Sequence, residues 1–133
     1  MHTYSFEKLD AWKEGRHLVV MLYHLTQSFP PDEKFGLTSQ IRRAVVSVVS
    51  NIAEGSARSS AKDQAHFYQI AYSSLIEILN QIIVAHDLRF IGPDQLFEIR
   101  AAVERLLALI AALRNFQLQK ANTSKLNPKL LNP

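Results

Sequence analysis

Four segments with helical spacing, separated only by short breaks, leave this chain few ways to fold. The breaks fall at Phe29-Pro30-Pro31, at residues 55–60 and at Gly92-Pro93, and no alternating strand pattern lies between them. Proline lacks an amide and disfavours helix in the residue before it, so the first helix, expected over residues 7–28, stops at Pro30. Its apolar residues Leu18, Leu22, Leu25 and Phe29 follow at steps of four, three and four. Gly15 is its weak point.

The second helix is expected to start near Thr38, whose hydroxyl can cap free amides, and carries Ile41, Ala44, Val45, Val48, Val49, Ile52 and Ala53. Ser60-Ala61-Lys62-Asp63 resembles a capping box at the start of the third, where Tyr68, Tyr72, Leu75, Leu79 and Ile82 recur. The fourth opens at Pro93, where a missing amide costs least, and Leu96, Ile99, Val103, Leu106, Ile110 and Leu113 keep a heptad rhythm. With connections this short, consecutive helices run antiparallel. The expected fold is all-α, an up-down-up-down antiparallel four-helix bundle.

A chain of 133 residues with 47% hydrophobic and 20% charged residues builds one such domain and is not a disordered sequence. It has no cysteine, so neither a disulfide framework nor a thiolate metal site is available. The longest apolar run, residues 106–113, falls far short of the roughly 20 residues that cross a bilayer, and the N-terminus lacks a signal-peptide pattern. No membrane partner is therefore expected, and the expected location is the cytoplasm.

Charge is distributed unevenly. Residues 1–104 carry ten Lys/Arg against twelve Asp/Glu, whereas residues 105–133 carry Arg105, Arg114, Lys120, Lys125 and Lys129 with no acid. The expected division is a bundle domain over residues 1–119 and a basic, disordered tail over 120–133, able to solubilise the chain or to contact phosphates.

Two helices hold more apolar surface than a lone bundle needs. Val45, Val46, Val48, Val49, Ile52 and Ala53 cover most of the second helix, and Ala102, Leu107, Leu109 and Phe116 lie outside the stripe of the fourth. Each large aliphatic left in water forgoes about 1.5–3 kcal/mol. Wide apolar patches usually meet a partner, so self-association is expected; the alternative is that close packing of Ala-rich faces absorbs the surplus.

Polar residues of the second helix form a stripe of Gln40, Arg43, Ser47, Asn51, Glu54 and Arg58. Gly55 is expected to end that helix as a left-handed residue. Asn51 and Glu54 exceed what a turn requires. Two readings stand side by side: Glu54 pairs with Arg58 or another arginine while Asn51 bonds backbone, or these residues and neighbouring cations contact an anion or nucleic acid. Arg42, Arg43, Arg58 and Lys62 form one cationic surface only if the turn after the second helix lies beside the start of that helix in an adjacent copy.

The five histidines show no metal-ligand spacing, and no phosphate loop, zinc-protease or nucleophile-elbow motif is present. The sequence therefore points to no catalytic residue, cofactor or metal, and to no small-molecule substrate.

Tyr4-x-Phe6-Glu7-Lys8-Leu9-x-x-Trp12-Lys13, Phe35-Gly36-Leu37-Thr38-x-Gln40-Ile41-Arg42-Arg43-Ala44 and Ser50-Asn51-Ile52-Ala53-Glu54-Gly55-x-x-Arg58 together resemble the bacterial four helix bundle protein family. Its members are also called intervening-sequence or ribosomal protein S23-like proteins, some being encoded within insertions in large-subunit ribosomal RNA genes. The resemblance covers residues 4–92 by motif and the fourth helix by pattern. It implies a non-enzymatic fold of unknown molecular role. More distantly, the chain is similar to accessory proteins of diversity-generating retroelements, which implies a ring-like homo-oligomer, a homopentamer favoured, and nucleic-acid binding. The expected function is thus an oligomeric scaffold that binds structured RNA or DNA through Arg42, Arg43, Arg58, Lys62 and the tail; the alternative is a protein-protein adaptor. The net acidity of residues 1–104 departs from what a strongly basic channel requires.

Overall fold

The computed structural model describes residues 1–124, and its regular elements there are all helical. A 3-10 turn at Ser5–Lys8 precedes α1 (Asp10–Thr26), α2 (Leu37–Ser56), α3 (Ala61–Asp87) and α4 (Pro93–Ser124), with a second 3-10 turn at Pro31–Glu33. Helix α2 packs along α3 and α3 along α4; α1 closes the set against α2 and, over less surface, against α4. Among the described residues the backbones of α1 and α3, and of α2 and α4, do not come within 8 Å of each other between Cα atoms, so chain order and order around the bundle coincide. The four helices and the short connections expected from the sequence are present.

Several boundaries differ, each for a local reason. The first helix does not begin at Glu7. The Glu7 carboxylate instead accepts the Tyr4 amide at 2.7 Å, closing the 3-10 turn, and Leu9 is extended before α1 starts. Thr38 does not cap α2. The cap comes from Glu33, whose Oε2 accepts the Leu37 amide at 2.9 Å, and a side chain at Gly36 would lie 2.7 Å from that oxygen.

Gly55 does not terminate α2 in a left-handed conformation; the helix runs through it to Ser56. A methyl there would lie 2.8 Å from Tyr68 Cε1 and 3.1 Å from Phe67 Cβ, so the glycine lets α3 approach closely. Ser60 caps α3 as expected, its hydroxyl accepting the Asp63 amide at 3.1 Å. Among the described residues the left-handed one is Arg89, with φ 66°, just after α3. Around it the Phe90 amide donates to the Ala85 carbonyl and the Arg89 amide to the His86 carbonyl, both at 2.9 Å, the bond pair of a Schellman motif. Helix α4 continues to Ser124, five residues past the expected tail boundary at Gln119; Lys125 and Lys129 lie outside the described residues.

The core joins one stripe from each helix. Leu18, Leu22, Ile41, Val45, Val48, Ile52, Leu75, Ile78, Ile82, Val103, Leu106 and Ile110 are fully buried. In α3 the buried line is rotated from the expected one: Ala71 and Ile78 face inward, while Tyr72 and Leu79 are half-buried. Packing also absorbs much of the apparent surplus, because Val49, Ala102, Leu107 and Leu109 become partly covered. Val20 (67% exposed), Val46 (40%) and Phe116 (60%) stay in water.

Candidate functional site

The polar stripe of α2 is a seam against α3. Asn51 Nδ2 donates to the Ser47 carbonyl at 2.8 Å and to Ser47 Oγ at 3.1 Å, and Ser47 Oγ lies 3.1 Å from Ser74 Oγ on α3. These half-buried groups satisfy one another, as polar atoms between packed helices must. Asn51 therefore bonds backbone, and Glu54 meets Arg58 at 3.4 Å in an exposed i,i+4 pair. Gln40 and Arg43 stand at the open end of the seam, where they and Glu77 line a small cleft.

The structure separates the four arginines and lysines singled out in the sequence. Arg42 turns toward α1. Its Nε donates to Thr26 Oγ1 at 2.9 Å, its second nitrogen reaches the Tyr23 carbonyl at 3.3 Å, and its guanidinium lies 4.7 Å from the Tyr23 ring centre. A cation at the end of a helix offsets the partial negative charge of its last carbonyls, so Arg42 fastens α1 to α2. Arg43, one residue on, points to the α3 side. Arg58 and Lys62 flank the turn at the other end of α2, about 20 Å away by helical rise. Arg58 is held by Glu54 and lies 4.5 Å from the Phe67 ring centre, whereas Arg43 and Lys62 have no hydrogen bond or ion pair to described residues.

Sequence spacing missed two features. Thr26, buried at the end of α1, donates to the Leu22 carbonyl at 2.8 Å while accepting from Arg42; a threonine sixteen residues before an arginine carries no local signal. Arg114 of α4 donates to Gln69 Oε1 at 2.8 Å and stacks 4.9 Å from the Tyr72 ring centre, which pins α4 to α3 near the same end as Arg58 and Lys62.

Among the described residues no group of three or more His, Cys, Asp or Glu is placed to hold a metal, and no helix is long and apolar enough to cross a membrane. Burial raises the Tyr68 phenol above its ordinary value of 10.0, and its ring packs against Gly55. The family model for the 23S rRNA-intervening sequence protein matches residues 7–112, spanning all of α1, α2 and α3 and most of α4. The chain belongs to the 23S rRNA-intervening sequence protein family. No curated protein matches it. The match to the 23S rRNA-intervening sequence family spans the Ser47–Asn51–Ser74 seam and the Gly55 contact, the residues that lock α2 to α3.

Proposed function

We propose that this chain is a non-enzymatic scaffold that self-associates, in a ring for which five copies is the favoured number, and contacts structured RNA or DNA through Arg43, Arg58 and Lys62. The carrying observation is apolar surface on the outside of α1 and α2. Gly15 lies against Val49, and Thr26 bonds Arg42, which sets the antiparallel register and brings Val20 level with Val46. Val20, Val46 and Tyr23 (39% exposed) are thus an exposed apolar strip on the outer sides of α1 and α2. Burying such a strip between copies gains about 25 cal/mol per Å² of apolar area. Sedimentation equilibrium at micromolar concentration is expected to give a multimer that a Val20→Glu/Val46→Glu variant dissociates. A single-chain species for the unaltered protein would overturn the reading.

Nucleic-acid contact is supported by Arg43 and Lys62, whose charged groups make no hydrogen bond or ion pair with a described residue. A closed assembly is required to bring Arg43 and the Arg58–Lys62 end together, since one copy holds them apart. Filter binding at several salt concentrations checks this. Binding is expected to weaken with salt, and each phosphate contact removed in an Arg43→Ala/Arg58→Ala/Lys62→Ala variant lowers the log-log slope by about 0.9. Salt-independent binding, or a slope the variant leaves unchanged, would refute it.

The adaptor reading draws on the opposite end of the bundle. Phe35 (87% exposed), Leu88 and Phe97 (77%) all lie where the α1–α2 and α3–α4 connections sit. Recovery of one stoichiometric protein partner, lost on Phe97→Ser substitution and insensitive to nuclease, would favour it.

A further inference from the structure

The bundle is least closed between α1 and α4. The C-terminal half of α1 and the first turns of α4 bound an open cleft of about 540 Å³. That volume falls within the range of roughly 300–1,000 Å³ typical of small-molecule sites. Its floor is apolar: Leu25 and Ile99 are buried, and Met21 is half-buried beside them. Its rim is polar, formed by His24, Gln27 and Glu98, all exposed. None of these three side chains makes a hydrogen bond or an ion pair with another described residue. No lysine or arginine lines the cleft, so the Glu98 carboxylate is its uncompensated charge.

From this geometry we infer that the cleft binds a small organic cation, with an apolar or aromatic body against Met21, Leu25 and Ile99 and one ammonium or amidinium group at the Glu98 carboxylate. The floor favours the body, since it removes apolar surface from water, and the Met21 thioether suits the edge of an aromatic ring. The rim selects the charge. An anion would meet Glu98 with no cation to offset it, and a neutral isostere would forgo the charge-assisted hydrogen bond. The His24 ring and the Gln27 amide can accept or donate the remaining bonds. Because the mouth is open and the carboxylate hydrated, binding is modest, with Kd on the order of 1 mM for a ligand of about ten heavy atoms. The site lies on the α1–α4 side, away from Arg43, Arg58 and Lys62, and does not depend on the scaffold reading.

The test is a methyl-resolved NMR titration of the full chain with benzamidinium, benzyl alcohol and benzoate. Benzamidinium is expected to give saturable shifts at the methyls of Met21, Leu25 and Ile99, with the alcohol and the benzoate at least about tenfold weaker. E98Q is expected to weaken benzamidinium by about tenfold while leaving the methyl spectrum of the free protein unchanged away from residue 98; Glu98 is exposed, so this variant keeps its fold. Absence of saturable shifts at these methyls, equal binding of benzoate, or undiminished binding to E98Q would each overturn the assignment. Shifts of the same methyls on dilution without any probe would show that a second copy fills the cleft, and would overturn it too.

Discussion

Replacing Gly55 with alanine sets two effects of opposite sign against each other. In an exposed helix interior the change would stabilise by about 0.8–1 kcal/mol, because alanine loses less backbone entropy on folding. Here the new methyl would lie 2.8 and 3.0 Å from Tyr68 Cε1 and Cδ1 and 3.1 Å from Phe67 Cβ. Carbon pairs prefer about 3.5–4.0 Å, so all three contacts are repulsive. Neither neighbour yields easily: Tyr68 is 2% exposed and boxed in by the core, and a Cβ moves only with its backbone. Overpacking of this kind costs about 1–3 kcal/mol, which offsets the propensity gain and leaves a net loss of up to about 2 kcal/mol. Urea unfolding followed by far-ultraviolet circular dichroism would read this as a midpoint lowered by up to about 1 M at a fixed protein concentration. In a Tyr68→Leu background part of the penalty should vanish, and the coupling between the two changes isolates the ring contact. A Gly55→Ala protein more stable than its parent would refute the close approach of α3.

Other substitutions test the cap assignments and the buried phenol. Glu33→Ala should cost about 1 kcal/mol by releasing the Leu37 amide, while Thr38→Ala should change stability by less than about 0.5 kcal/mol; the reverse order in denaturant midpoints would reinstate Thr38 as the cap. Arg89→Gly should stabilise by about 0.5–1 kcal/mol, because Arg89 holds a φ of 66° that costs an L-residue energy and glycine almost none; unchanged thermal unfolding would count against the left-handed turn. Since burial raises the Tyr68 phenol, the unfolded chain loses that proton first. Stability is therefore full below pH 10.0 and falls as pH rises beyond it, a fall that Tyr68→Phe should flatten in alkaline titrations monitored by circular dichroism.

The chain's order of helices was legible because each rests on local physics. Pro30-Pro31 and Gly92-Pro93 interrupt helix wherever they occur, Ser60 caps α3 with a residue three positions away, and the Leu18–Leu22–Leu25 and Ile99–Val103–Leu106–Ile110 stripes are periodic within one segment. Residue pairs distant in sequence, or local groups competing for one role, were not legible. The candidate site divides along the same line. The i,i+4 pair Glu54–Arg58 and the Asn51–Ser47 bond can be drawn from a helical wheel, whereas the turn of Arg42 toward Thr26 and the junction of Ser47 with Ser74 cannot.

The sequence by itself determined that this protein is a set of amphipathic helices joined too tightly to run other than antiparallel. Only the tertiary structure decided which face of each helix turns inward, that Gly55 sits in a contact and does not end its helix, that Arg42 and Arg43 part to opposite neighbours, and that α1 leaves a cleft against α4. The reason is physical: period and capping act within a few residues, while steric fit and long-range hydrogen bonds exist only once separate helices have met.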